Sequence, residues 1–152
     1  MSSKLVVTRE GAQETWTLND PATRNALSDE MVQALHGACR RAAQDSALRF
    51  VVLSGAGGAF CAGGSLGGFA QAIGQPLPVG ETDPLIALNA GFGQLLNALC
   101  ALPQILLVAV DGPAQGGGLG LVCCGDFVLA TTSAVFATPE VTLGVVPAQI
   151  AP

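Results

Sequence analysis

Charge is what this sequence has least of. Only 11% of its 152 residues are Asp, Glu, Lys or Arg, where a free-standing soluble domain usually carries about 25%. Half of the chain is hydrophobic. Bases are missing altogether after Arg49. Lys4, Arg9, Arg24, Arg40, Arg41 and Arg49 are the full set, and Phe50 to Pro152 holds five acids and no base. The net charge of −5 argues against nucleic acid as a partner. An anionic ligand held by charge pairing must find its cation in the first third of the chain.

Other absences narrow the field further. A membrane span needs about 20 apolar residues in a row. The longest apolar run, Ala98 to Val110, is broken by Pro103, so no membrane span is expected. The opening MSSKLVVTREGAQE turns polar at once and has no signal-peptide pattern. A cytoplasmic protein is the expectation. The five cysteines, Cys39, Cys61, Cys100, Cys123 and Cys124, are odd in number and contain no CxxC pair. Neither a disulfide framework nor a metal site is indicated, and all five read as small buried residues. His36 is the single histidine. It falls in a helix beside Arg40 and Arg41 and reads as a surface residue, so no Ser-His-Asp arrangement can be built. The phosphate-loop G-K-[ST] is missing too. The partial glycine signal at Gly55 and Gly57 lacks a ribose-binding acid about 20 residues on, which leaves little for a dinucleotide-binding reading.

What is present is glycine, in two clusters. The first is SGAGGAFCAGGSLGG, Ser54 to Gly68. The second closes QILLVAVDGPAQGGGLGLVCCGD, Gln104 to Asp126. There an apolar run of buried-strand type, Gln104 to Val110, is broken at Gly112-Pro113. Gly116, Gly117 and Gly118 then lead into a short helix over Leu119 to Cys124. A strand, a turn and a glycine-rich helix entry present free N–H groups at the positive end of the helix dipole. This suits a phosphate or a developing oxyanion. Equally, the glycines serve close packing of helix on strand. From the stretch alone both readings stay open.

The remaining elements read in order. Lys4–Arg9 and Glu14–Leu18 form a hairpin around Gly11. Ser28 caps a helix that runs to about Gln44, with Met31, Leu35, Ala38 and Ala42 on its apolar face. Phe50–Leu53 is a short strand. Gln71–Asp83 is an irregular excursion rich in turn signals. Pro84–Leu102 is a long apolar helix. Phe127–Ala130 and Ala134–Ala137 are short strands, and Pro139-Glu140 opens a turn or helix. The alternation is that of an α/β fold, read as one domain over residues 1–152.

Four motifs in order carry a resemblance. They are LNDP with RNAL (Leu18 to Leu27), SGAGGAFCAGG (Ser54 to Gly64), DGPAQGGG (Asp111 to Gly118), and FATPE with LGVVP (Phe136 to Pro147). Together they resemble the crotonase (enoyl-CoA hydratase/isomerase) superfamily along essentially the whole chain. The resemblance implies a ββα spiral core, here without the C-terminal helical region. It implies an acyl-CoA thioester as substrate, with coenzyme A part of the substrate and no separate cofactor. It implies a homo-oligomer, a trimer or hexamer, in the full-length family. By motif position, the Gly64 and Gly117 amides would hold the thioester oxygen and Glu140 would be the catalytic acid/base. Ala22, Thr23, Arg24, Cys61, Ala62, Gly63 and Gly64 would meet the CoA. For Arg24 a solvated surface arginine is the competing reading, and for Glu140 a plain helix-start carboxylate after Pro139.

Two positions depart from the family pattern. Ser65 stands where an Asp is common. Gly120 stands where two-glutamate hydratases carry their other Glu, leaving Glu140 alone. Leu119-Gly120-Leu121 with the segment Pro147–Pro152 is similar to isohexenylglutaconyl-CoA hydratase-like members, which act on branched glutaconyl-type esters. A single-glutamate isomerase, a non-catalytic fragment of the family, and an unrelated phosphate-binding α/β module are the alternatives.

Overall fold

The computed structural model describes residues 3–64, 80, 84–144, 146 and 150. Ser65, most of the excursion over Gln71–Asp83, and the segment Pro147–Pro152 apart from Ile150 lie outside the described residues. β1 (Leu5–Glu10) and β2 (Gln13–Leu18) pair antiparallel and turn at Gly11, whose φ of +57° suits glycine. A 3-10 turn covers Pro21–Thr23. Then come α1 (Asp29–Ala43), β3 (Phe50–Gly55), α2 (Pro84–Cys100) and β4 (Ile105–Val110). The chain continues through β5 (Pro113–Gln115), α3 (Gly117–Cys123), β6 (Phe127–Ala130), β7 (Val135–Ala137) and a 3-10 turn at Pro139–Leu143.

The main sheet has the order β1-β2-β3-β4-β6, and every pairing after the hairpin is parallel. Parallel neighbours need long crossovers, and helices lie within three of the connections, β2 to β3, β3 to β4 and β4 to β6. β5 and β7 form a separate two-stranded parallel sheet. The α/β architecture expected from the sequence is therefore the one observed.

One apolar core joins these pieces. Trp16, Leu18, Met31, Leu35, Leu53, Phe60, Leu95, Leu106, Val108 and Leu121 are fully buried, and each large apolar side chain so buried contributes about 1.5–3 kcal/mol. α1 follows its sequence pattern. The Ser28 hydroxyl accepts the Met31 N–H at 3.3 Å, and Met31, Leu35, Ala38 and Ala42 face inward. Its last carbonyls are met by a side chain from elsewhere, since Gln104 Nε2 donates to Ala42 O at 2.8 Å. His36 corrects an expectation. It is half-buried, with Nε2 3.2 Å from Gly91 O, and so joins α1 to α2.

Two further corrections concern burial. β4 is not covered on both sides. Leu106, Val108 and Val110 are buried, while Ile105 is 41% exposed on the other face. β6 is exposed throughout, with Phe127 and Leu129 more than 60% exposed. The cysteines also divide. Cys39 and Cys61 are buried and Cys124 is half-buried, but Cys100 and Cys123 are exposed. Those two are the last residues of α2 and α3. Among the described residues no helix is long and apolar enough to cross a membrane.

Candidate functional site

The small sheet organises the site. β5 and β7 run parallel with Gln115 opposite Ala137, so both strands leave the sheet at the same end. The Gly116 N–H extends the pairing by donating to Ala137 O at 2.9 Å. From that edge one chain enters α3 at Gly117, and the other enters the 3-10 turn that carries Glu140. Gly116 has φ +51°, and a Cβ built on it would stand 2.6 Å from Glu140 Oε1. The carboxylate thus lies directly over the glycine turn. Its Oε2 is buried and has no hydrogen-bond partner. A buried carboxylate oxygen without a partner is costly, so the structure holds this group where stability alone would not.

The first glycine loop is sewn to the second through the main chain. Phe60 N–H and Cys61 N–H both donate to Pro113 O at 3.0 Å, and Gln115 N–H donates to Cys61 O at 2.9 Å. Glycine is needed where they touch. A Cβ on Gly118 would be 2.6 Å from Cys61 O, and one on Gly63 (φ +91°) would be 2.8 Å from Gln115 O. At these positions the packing reading of the glycines is correct. Gly64 and Gly117 each follow a residue in this contact, since the Gly63 Cβ position lies 3.6 Å from the Gly116 Cα. Neither the Gly64 N–H nor the Gly117 N–H has a hydrogen-bond partner among the described residues. Gly64, Gly117 and Glu140 are therefore brought together.

The loop over 20–27 runs alongside. Ala62 N–H donates to Arg24 O at 2.9 Å, and Leu27 N–H donates to Gly63 O at 2.8 Å. This puts Ala22, Thr23 and Arg24, all exposed, beside Cys61, Ala62 and Gly63. Thr23 is tied down, its hydroxyl donating to Asp20 Oδ2 at 2.8 Å. Arg24 makes no ion pair among the described residues. Burial pushes the Cys61 thiol up to about 12, so it stays protonated at neutral pH.

Asn25 is the residue whose role the sequence reading missed. It is fully buried at φ +57°. Its Nδ2 donates to Ala56 O at 2.9 Å and Ala59 O at 2.8 Å, and its Oδ1 accepts the Asp20 N–H at 2.8 Å. One side chain thus fixes the N-terminal loop onto the first glycine loop. The available signal was an asparagine in a turn context, a type that tolerates this backbone conformation.

Comparison with known proteins finds one family. The family model for Enoyl-CoA hydratase/isomerase matches residues 13–149. The chain is 39% identical over 132 residues to the "Probable enoyl-CoA hydratase EchA14" of Mycobacterium tuberculosis, covering 86% of this chain and 48% of that protein. It is 35% identical over 145 residues to the 2,3-dehydroadipyl-CoA hydratase of Escherichia coli, covering 95% and 53%. The crystal structure of an enoyl-CoA hydratase/isomerase from Marinobacter aquaeolei superposes with a TM-score of 0.91 at 39% identity, covering 99% of this chain and 57% of that one.

The chain belongs to the enoyl-CoA hydratase/isomerase family. It spans about half the length of the curated relatives it matches.

Within the family frame, position 120 is informative. A Cβ on Gly120 would stand 2.5 Å from Ile150 Cγ2 and 3.5 Å from Leu96 Cδ1. The room a side chain would use there is already filled by the Ile150 methyl. Two other acids near α3 are structural, as their strand-end positions suggest. Asp126 Oδ2 accepts the Leu106 N–H at 2.8 Å, and Asp111 Oδ1 accepts the Thr131 hydroxyl at 3.2 Å. A cavity of about 480 Å³ lined by Gln33, His36, Arg40 and Gln94 includes none of the candidate residues. Among the described residues no His, Cys, Asp and Glu side chains group so as to hold a metal ion.

Proposed function

We propose that this chain provides the oxyanion site and the proton-transferring carboxylate of an enzyme acting on an acyl-CoA thioester. The observation that carries the reading is the Glu140 carboxylate seated over the Gly116–Gly117 turn, with one buried oxygen unpaired. In this reading the Gly64 and Gly117 N–H groups bind the thioester oxygen. Glu140 takes a proton from the α-carbon, and the electron pair moves onto that oxygen as an enolate. One such donor is typically worth about 3 kcal/mol of barrier. Ala22, Thr23, Arg24, Cys61, Ala62 and Gly63 flank the CoA, with Arg24 as the cation toward a phosphate. No cofactor is needed beyond the CoA of the substrate. Exposed Phe127, Leu129 and Val141 support self-association of the whole protein, in line with a homo-oligomer.

A second reading concerns the reaction. With Gly120 covered by Ile150, Glu140 acts without a carboxylate partner from position 120. This favours an isomerase, in which the same carboxyl returns its proton to the γ-carbon. Hydration of a branched glutaconyl-type ester rests on sequence likeness at 119–121 and 147–152. Incubation of the active protein with a panel of enoyl-CoA esters in D2O separates the two. Isomerisation moves the double bond into conjugation with the thioester and releases no 3-hydroxyacyl product, whereas hydration releases one. Glu140→Gln must abolish α-proton exchange, and exchange at the wild-type rate in that variant would refute the assignment. A protein that binds CoA thioesters but turns over none would be a non-catalytic member.

A further inference from the structure

Three of the five cysteines, Cys100, Cys123 and Cys124, lie at the ends of α2 and α3, and the active-site reading uses none of them. Cys100 is the last residue of α2 and is exposed. Cys124 follows α3 and is half-buried. The Cys124 thiol lies 3.3 Å from Gly120 O on its own helix and 3.7 Å from Leu96 O on α2. Leu96 and Cys100 are one helical turn apart, so they share a face. The sulfur of Cys124 thus sits against the same edge of α2 that ends in Cys100. Cys39, on α1, is buried.

We propose that Cys100 and Cys124 are a modification site, a thiol pair that a hydroperoxide converts into a disulfide linking the ends of α2 and α3. Burial and the adjacent Cys100 push the Cys124 thiol up to about 12, so it stays protonated, and exposed Cys100 is the thiol that meets the oxidant. The Cys100 sulfur attacks one peroxide oxygen. The O–O bond breaks, Cys100 becomes a sulfenic acid, and the other oxygen leaves as water with the thiol proton. The Cys124 sulfur then attacks the Cys100 sulfur. The S–S bond forms, the S–O bond breaks, and hydroxide leaves with the Cys124 proton as a second water. Two thiols lose two electrons, and hydrogen peroxide takes them up. Cys123 is exposed too, but consecutive helical residues point about 100° apart, so with Cys124 facing α2, Cys123 faces away.

The experiment treats the reduced chain with hydrogen peroxide, blocks the remaining thiols with an alkylating agent and maps the unreduced digest by mass spectrometry. The expected result is a Cys100–Cys124 peptide pair that dithiothreitol reverses, with Cys39 and Cys61 alkylated only after unfolding. Cys124→Ser must remove the link and leave a Cys100 sulfenic acid that dimedone traps. Cys123→Ser must keep the link. A Cys100–Cys123 pair, a link between two copies, oxidation of Cys100 to the sulfinic acid without a link, or no reaction at Cys100 would each overturn the proposal. The inference is independent of the active-site reading, since none of its outcomes is read as turnover.

Discussion

Glu140 Oε1 occupies the space that a side chain on Gly116 would need, 2.6 Å from where its Cβ would be. Gly116→Ala must therefore displace the carboxylate, and at φ +51° it adds backbone strain of about 1–2 kcal/mol. A misplacement of about 1 Å at a reacting group costs about 100-fold in rate. The expected outcome is a kcat lowered by about that factor with a modest fall in Tm. Steady-state kinetics and a thermal melt on the same sample check it, and a wild-type kcat would remove Glu140 from the chemistry.

Gly117 calls for a pair of variants. A Cβ there meets only side-chain atoms, Leu27 Cδ1 at 2.8 Å and Phe92 Cζ at 3.1 Å. Gly117→Ala keeps the N–H, and Gly117→Pro removes it while crowding the same neighbours. If the N–H binds the thioester oxygen, the Pro variant loses about 100- to 1,000-fold more kcat than the Ala variant. Equal losses would mean that only packing was disturbed.

Asn25→Ala removes a fully buried side chain and strands the carbonyls of Ala56 and Ala59. Each buried polar group so stranded costs about 1–3 kcal/mol. Urea denaturation should show a loss of at least about 2 kcal/mol. CoA binding should weaken with it, because this residue joins the loop of Arg24 to the loop of Cys61. Unchanged stability would show that the loops hold without the clamp.

Alkali should weaken the fold through its buried thiols. Burial raises the Cys39 thiol to about 11 and the Cys61 thiol to about 12, from an ordinary value near 9.0. Above the ordinary value the unfolded chain has lost these protons and the folded chain has kept them. Stability is therefore complete below about pH 9 and falls as pH rises through that window. Denaturant midpoints at pH 8, 9 and 10 should decline, and Cys61→Ala should flatten the slope. Acid acts on other groups. Lys4 beside Asp20 and Arg9 beside Asp45 hold those carboxyls below their usual range, so what these pairs contribute is present at neutral pH and is lost as pH falls through the lowered values.

The sequence made α1 legible, because cap, acidic first turn and apolar spacing all agree there. It made the four site motifs legible, because their residue types are imposed by close backbone contacts, as at Gly63 and Gly118. β5 was not legible. Pro113 reads as a strand breaker, and three residues make a strand only because Val135–Ala137 returns to pair with them. The clamp at Asn25 was hidden for the same reason, since all three backbone carbonyls it reaches lie more than thirty positions away. The exposure of β6 was equally unreadable, since an apolar strand does not say whether its covering layer is at hand.

The parallel run of β5 beside β7 has an evolutionary consequence. Position 140 is fixed by main-chain pairing upstream, and no side-chain hydrogen bond holds its carboxylate among the described residues. The scaffold therefore specifies an address without specifying the tenant. On the function proposed above, a different side chain at 140, or a small shift of Ile150 that frees position 120, would change which proton moves or whether water reacts, and would leave the two glycine loops as they are. On that reading, new chemistry on this frame is one or two substitutions away, with no refolding to be discovered first.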